Sequence, residues 1–398
     1  MNRPRLIFVN RVYWPSTEAT AQLLTDLAEA LAARGWPVQV IASGESDEAL
    51  NGVRVHRTGP AETKRSLFGR VFAYARFVEE VRQRLHDLSQ PGDIVVMMTD
   101  PPMLGTLSAG NVRPRDGAVV RWIQDIYPEI VPAHAGAWLA VPLAPLRWLR
   151  NRAWRHAAAC APVGTDMAQH LIAGGVPARR VHPVHNWAPR ELGAPPAAAA
   201  ICSVREKWGV ADKFVVAYSG NLGRVHEFAT ILGAAGLLRA EPGIVFLFVG
   251  GGPRLPEVRA AAERAGLPNI RFLPPQPREE LAASLAAADA HLVTLLPRFA
   301  RLVNPSKLAG VLAAGRPALF IGPPEGEIAK LLAAEDCGRA FAVGDPAGLA
   351  AACRRLRDRP EDSARLGRNA RAAYARHFTL AGAVARWEEI LNAAARTA

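Results

Sequence analysis

The residues Asn304 to Pro317, NPSKLAGVLAAGRP, combine a helix start, a cation and a glycine stop. Asn304 can cap, Pro305 suits a first helical position where no N–H is needed, and Gly315 with Pro317 closes the helix. The free N–H groups of Ser306 and Lys307 then point out of a positive helix end, beside the Ser306 hydroxyl and the Lys307 ammonium. Together they suit an anion, most naturally a diphosphate. An ordinary capped helix carrying a surface lysine is the competing reading.

Other loops carry related chemistry. Residues 10–20 place the small polar Ser16 and Thr17 at a helix start, where they can approach a phosphate or a sugar, or simply cap. The loop is not GxGxxG, so a dinucleotide cofactor is disfavoured. Gln124 and Asp125 follow an apolar run and can hydrogen-bond sugar hydroxyls or move a proton; a turn-forming Asp ahead of Pro128 is the alternative. In SGNLGRVHE, Gly220 and Gly223 permit close backbone approach, while Arg224 and His226 offer positive charge near the start of a helix. Gly250, Gly251 and Gly252 repeat the design after the next apolar run.

The elements that must position these loops alternate. Strands are expected at 5–9, 38–42, 94–98 and 119–123, with helices at 18–33, 64–88 and 142–157. From Pro189 the chain becomes ELGAPPAAAA, rich in breakers, which marks a linker over 189–212 between a first domain, 1–188, and a second, 213–375. The pattern then restarts, with strands at 214–218, 244–249, 270–273, 290–295 and 317–321 and helices at 226–239, 254–265, 278–287, 305–314 and 326–334. Residues 376–398 read as a final helix that can cross back to the first domain. Alternation of this kind predicts two α/β, doubly wound, Rossmann-like domains facing a central cleft, with function on the loops that follow strands.

Length and composition agree with that picture. A chain of 398 residues, half of them hydrophobic, fits two well-packed domains. The net charge of +12 is compatible with nucleic acid, an anionic membrane or an acidic substrate, but no nucleic-acid motif accompanies it. Four cysteines without CxxC spacing suit a reducing, cytoplasmic setting. No secretory signal or membrane-spanning stretch is read, so any membrane contact is expected to be peripheral. Residues 142–157, PLAPLRWLRNRAWRHA, set Leu, Trp and Ala against Arg147, Arg150, Arg152 and Arg155. With Trp138, Trp148 and Trp154 this fits an interfacial helix, or a solvated helix whose tryptophans pack into the first core.

The ordered segments FVVAYSGNLGRVHEFATI, FLFVGGGP, IRFLPPQPREEL, ADAHLVTL, NPSKLAGVLAAGRP and GEIAKLL resemble the nucleotide-sugar domain of family 4 glycosyltransferases of the GT-B fold. WPSTEATAQLLTDLAEALAARGWPVQVIAS, QDIYPE and PVHNWAP are similar to the acceptor domain, especially that of bacterial amino-sugar and deoxy-sugar transferases of surface polysaccharide synthesis. The resemblance implies retaining transfer from an NDP-sugar, most naturally a UDP-sugar, without an obligatory metal or other cofactor, to a polyprenyl-linked or saccharide acceptor. It puts Gly220 and Asn221 along the diphosphate, Ser306 and Lys307 on its charge, and Gln276 at the base. Glu327 matches an acidic position after a glycine loop, and Gln124 and Asp125 match a His-Asp pair at the donor sugar. Asp125, Gln124 and Lys307 are thereby the catalytic candidates.

Two positions depart from the family pattern. Its paired glutamates map to Leu302 and Gly310, so the usual ribose-holding carboxylate is missing, and Glu325 or Glu327 is the candidate substitute. Its arginine and lysine after the first strand of the second domain become Asn221 and, approximately, His226, leaving Lys307 and Arg224 as counter-charges. The alternatives are a catalytically silent GT-B nucleotide-binding or partner protein and an NDP-sugar epimerase, although His185, His226 and His291 form no evident cluster.

Overall fold

The computed structural model describes residues 3–60, 67–107 and 117–396, and the chain divides into two compact units. The first comprises Met1–His185, Arg301–Asn304 and Leu380–Ala398; the second comprises Asn186–Ala300 and Pro305–Thr379.

The first unit is built on seven strands, β1 Leu6–Val9, β2 Val38–Ala42, β3 Glu48–Leu50, β4 Val53–Arg57, β5 Ile94–Met97, β6 Ala118–Ile123 and β7 Ala159–Pro162. Their spatial order is β3-β4-β2-β1-β5-β6-β7, parallel except where β3 meets β4. β1 and β5 are continuous apolar runs, LIFV and IVVM, because helices cover both faces of a parallel sheet. The helix Leu67–Leu88 turns Phe77, Val78, Val81 and Leu85 onto Ile7, Val9, Ile41 and Val95. The expected start of this helix at 64–66 lies outside the described residues.

The second unit carries β8 Phe214–Ser219, β9 Ile244–Val249, β10 Ile270–Leu273, β11 Ala290–Thr294, β12 Ala318–Ile321 and β13 Gly338–Phe341. All are parallel, in the order β10-β9-β8-β11-β12-β13. Strand order reverses between β8 and β11 here and between β1 and β5 in the first unit. The loops after those strands diverge at the reversal and leave a crevice at the carboxyl edge of each sheet.

Some expected elements are corrected. Residues 189–212 include a helix, Ala198–Lys207, and bury Val204, Trp208 and Val210 against Val215, Ala217 and Val245. The alanines obscured the Val204–Trp208 spacing that makes one face of this helix apolar. β4, VRVHR, was not expected because three of its five residues are charged or imidazole. Arg57 is nevertheless buried, paired with Glu48 and donating to the Ser43 and Trp14 carbonyls. β3, β7 and β13 and the helices Thr165–Ala173 and Pro346–Asp358 also fall where no element was expected.

The terminal helix Leu380–Ala395 belongs to the first unit, where its fully buried Trp387 meets Trp122 of β6 edge-on, with ring centroids 5.0 Å apart. Among the described residues no helix is long and apolar enough to cross a membrane. Trp387→Ala should cost about 3–5 kcal/mol by opening a cavity under β6. In calorimetry the unfolding transition of the first unit moves down and that of the second does not.

Candidate active site

In the second unit two glycine loops press on each other at the β8/β9 edge. The Gly220 amide donates to the Val249 carbonyl at 2.8 Å and the Leu222 amide to the Gly251 carbonyl at 2.7 Å. Gly250 and Gly252 both have φ of +137°, and a Cβ on them would overlap the Gly220 carbonyl and the Asn221 side chain, respectively. A Cβ on Gly251 would meet nothing within 4 Å, so that glycine faces open space. The Tyr218 hydroxyl fixes the turn by donating to the Asn221 carbonyl at 2.9 Å.

Lys307 reaches this cradle. A Cβ on Gly220, whose φ is +117°, would come 3.0 Å from Lys307 Cε, so only glycine leaves the stem its present room. Lys307 Nζ lies 5.1 Å from the Tyr218 ring centroid and 3.0 Å from His226 Nε2. His226 Nδ1 is 2.7 Å from the Thr294 carbonyl, which can only accept, so Nδ1 carries the proton and Nε2 accepts from the ammonium. Burial, with Lys307 beside it, lowers the His226 pKa to about 4. The expectation that His226 supplies positive charge is therefore corrected: it is a neutral acceptor. Burial also lowers Lys307 to about 8. No carboxylate among the described residues pairs with Lys307, so its charge is left for a ligand.

The helix expected at 226–239 runs Ala229–Leu237, because Glu227 ends the loop by accepting from the Thr230 amide. Arg224 is exposed. Ser306 is the N-cap of the helix Lys307–Ala313 and makes no side-chain capping bond. Asn304 does not cap this helix: residues 301–304 run along the β6 loop, Val303 bridging Asp125, and the Asn304 amide donates to the Val163 carbonyl at 2.8 Å. The first turn opens instead with Leu308 N–H on the Pro305 carbonyl. Gln276 Nε2 is turned onto the Pro274 carbonyl, and Glu327 begins the helix Glu327–Ala334. Gly310 is buried, and a Cβ there would sit against Leu192 and Leu285, so a carboxylate at that position would start from apolar surroundings.

In the first unit the Thr99 hydroxyl accepts from the amides of Gln124, at 3.2 Å, and Asp125, at 3.3 Å. This holds the end of β6 to the end of β5. Gln124 is buried, and Asp125 titrates near 6 because burial, with Asp100 close by, penalises its charge. Burial also raises Asp100, against the pull of Arg11, whose Nε donates to Asp100 Oδ1 at 3.0 Å. Ser16 accepts weakly from the Glu18 amide and Thr17 is exposed; Glu18, not either of them, is the N-cap of the helix Ala19–Ala33. Thr99, Asp100 and Arg11 were not singled out, although their place after β5 and β1 is the available signal.

The basic helix, observed as Ala144–Arg155, also differs from expectation. Arg150 is not on its solvated side: it is buried, donates to both Glu129 oxygens and to the Tyr127 carbonyl, and lies over Trp154. Although burial would raise it, hydrogen bonds from His170 and Arg150 hold Glu129 down to about 2. Trp154 is buried, whereas Trp148 and Trp138 are 59% and 72% exposed, so those two do not pack into the core.

Asp125 provides a pH test. Its folded pKa is raised above the ordinary value, so it stabilises at low pH and this stabilisation is lost as pH rises through about 6. Asp125→Asn should raise the first unit's thermal midpoint at pH 8, by about 1–3 kcal/mol of stability, and change little at pH 4; a rise confined to pH 4 contradicts the buried-carboxylate assignment.

Residues 19–187 match the glycosyl transferase 4-like domain and residues 213–359 the glycosyl transferases group 1 domain. WcaI of Escherichia coli (strain K12), a protein named for colanic acid biosynthesis glycosyl transfer, is 32% identical over 170 residues. That alignment spans 42% of this chain and 42% of WcaI, less than half of either. Anabaena Alr3699/HepE, solved in complex with UDP and glucose, covers 98% of this chain and 100% of its own, at 17% identity and a TM-score of 0.72. Sucrose-phosphate synthase from Thermosynechococcus elongatus covers 98% of both chains, at 16% identity and 0.78. WaaG, a glycosyltransferase involved in lipopolysaccharide biosynthesis, covers 97% of this chain and 99% of its own, at 17% and 0.71. With two matched domains in the family's order and a GT-B fold along nearly its whole length, the chain belongs to the family 4 type of glycosyltransferases.

Proposed function

We propose that the chain transfers a sugar, with retention of anomeric configuration, from an NDP-sugar to a lipid-linked or saccharide acceptor in surface polysaccharide synthesis, with a UDP-sugar as the leading donor. The observation that carries the reading is the Lys307 ammonium, largely buried beside two interlocked glycine loops and lacking a carboxylate partner among the described residues. UDP, bound by Alr3699/HepE, is an anion of the right chemistry, and the names of WcaI and WaaG support polysaccharide synthesis.

Charge develops on the diphosphate as the sugar leaves. Lys307 and the N–H groups of Asn221 and Gly251, beside the open backbone of Gly220, would stabilise that charge more in the transition state than in the bound donor. His226 serves by keeping the ammonium placed without neutralising it. Asp125 and Gln124 are assigned to sugar hydroxyls or proton movement, Ser16 and Thr17 to donor or acceptor contact, Gln276 to the base, and Glu327 to the ribose in place of the absent carboxylate at Gly310. Lys307→Ala should lower turnover by orders of magnitude and leave the circular-dichroism spectrum unchanged; near-normal sugar transfer by this variant sinks the assignment.

We also assign the surface around Trp138, Val141 and Trp148 to peripheral contact with the inner face of the cytoplasmic membrane. These three are 72%, 78% and 59% exposed, and Arg152 lies 5.9 Å from the Trp148 ring centroid. Exposed tryptophans interleaved with arginine suit an anionic bilayer interface. Co-sedimentation with vesicles containing anionic lipid should be strong at low salt, fall at high salt and weaken in Trp138→Ala/Trp148→Ala; absence of binding at low salt removes the membrane assignment.

A further inference from the structure

The two glycine loops of the second unit share a guanidinium. Arg254 ends the loop after β9, and its side chain crosses to the loop after β8, where Nη1 donates to the His226 carbonyl at 2.6 Å. Two bonds to one carboxylate fix its plane: Nε donates to Glu257 Oε2 at 2.9 Å and Nη2 to Glu257 Oε1 at 2.6 Å. Its Cζ lies 5.1 Å from the Phe228 ring centroid. Only arginine offers a planar fork that can hold a carboxylate on one side and a carbonyl on the other. The backbone repeats the link, with the Arg254 amide donating to the Leu222 carbonyl at 3.1 Å.

His226 belongs to neither β8 nor the helix Ala229–Leu237, so its place depends on such bonds across loops. Arg254 fixes its carbonyl, the Thr294 carbonyl takes its Nδ1–H, and the Thr294 hydroxyl accepts from the next amide, that of Glu227, at 3.2 Å. What remains is Nε2, the acceptor for Lys307. We infer that Arg254 is a positioning residue for the Lys307 cradle: by bracing the His226 backbone it keeps Nε2 turned to the ammonium and so sets where that cation meets a diphosphate. This rests on the reading of Lys307 as the counter-charge of the diphosphate. Burial, Lys307 and Arg254 all disfavour a charge on the His226 ring, and the carboxylates on adjoining segments are engaged elsewhere, Glu257 by Arg254 and Glu227 by the Thr230 amide. Without the brace the imidazole is free to swing from Lys307. An ammonium that loses its acceptor in a buried site is harder to keep charged, so its pKa, already lowered to about 8 by burial, falls further.

The test is calorimetric titration of the full chain with UDP across roughly pH 6–9, in wild type, Arg254→Met, Arg254→Lys and Arg354→Met. The last breaks another ion pair of this unit, that with Glu241, and serves as the structural control. Arg254→Met should weaken UDP binding by about tenfold near neutrality and move the alkaline loss of binding to lower pH. Arg254→Lys, which keeps one donor for the carbonyl, should lie between, and Arg354→Met should match wild type. Long-range proton–nitrogen NMR of histidine-labelled protein gives a readout that needs no ligand: His226 carries its proton on Nδ1 in wild type, and both tautomers are populated in Arg254→Met. If Arg254→Met does not fold, Arg254→Lys carries both measurements. A wild-type tautomer together with an unmoved alkaline limb in the folded variant overturns the inference and leaves Arg254 a cross-link. Loss of UDP binding in Lys307→Ala beside wild-type behaviour of Arg254→Met sinks the inference alone, whereas unaltered UDP binding by Lys307→Ala sinks it through the Lys307 reading on which it rests.

Discussion

A buried ammonium held by a neutral partner governs the second unit. If a carboxylate faced Lys307, the charge would be satisfied within the protein and little of it would remain for a ligand. His226 avoids this because its Nδ1 proton is committed to the Thr294 carbonyl, leaving Nε2 as an acceptor of no net charge. The glycines follow from the same constraint. Gly220 leaves space for the lysine stem, and Gly250 and Gly252 let the neighbouring loop close on Gly220 and Asn221. Side chains at these positions would separate the backbone N–H groups from the cation.

The first unit solves a different problem, which is to keep a carboxylate at a strand end where its charge is penalised. Thr99 ties the β6 loop to β5, Arg11 takes up Asp100, and Asp125 is left with a pKa near 6. A group titrating there can hold or release a proton near neutrality. The Glu129–Arg150 pair anchors the helix Ala144–Arg155 to the same loop from the other side. Burying Arg150 frees the opposite face of that helix to expose Trp148.

Much of the architecture was legible because parallel strands between helices must be apolar on both faces. Runs such as IVFLFV and IVVM therefore announced β9 and β5 almost to the residue. Strands and helices stabilised by particular partners were hidden. β4 needs Glu48 to bury Arg57, and the helix Ala198–Lys207 shows its purpose only once Val204 and Trp208 meet β8 and β9. At the candidate site, the glycine loops and Lys307 stood out by residue type and spacing, whereas Thr99 and Thr294 are ordinary in sequence.

The sequence by itself determined the α/β alternation, the glycine-rich loops after β8 and β9, and the cation near the helix Lys307–Ala313. Those features depend on local periodicity and on conformations that glycine alone adopts readily. Tertiary structure decided the charge states and the partners. Whether His226 is a cation or an acceptor depends on a carbonyl 68 residues away in the chain. Whether Asn304 caps a helix or holds Val163, and whether Arg150 is solvated or buried on Glu129, likewise depend on groups distant in sequence. Ionisation and hydrogen bonding in a desolvated interior are set by the nearest atoms in space, and chain order does not disclose which those are.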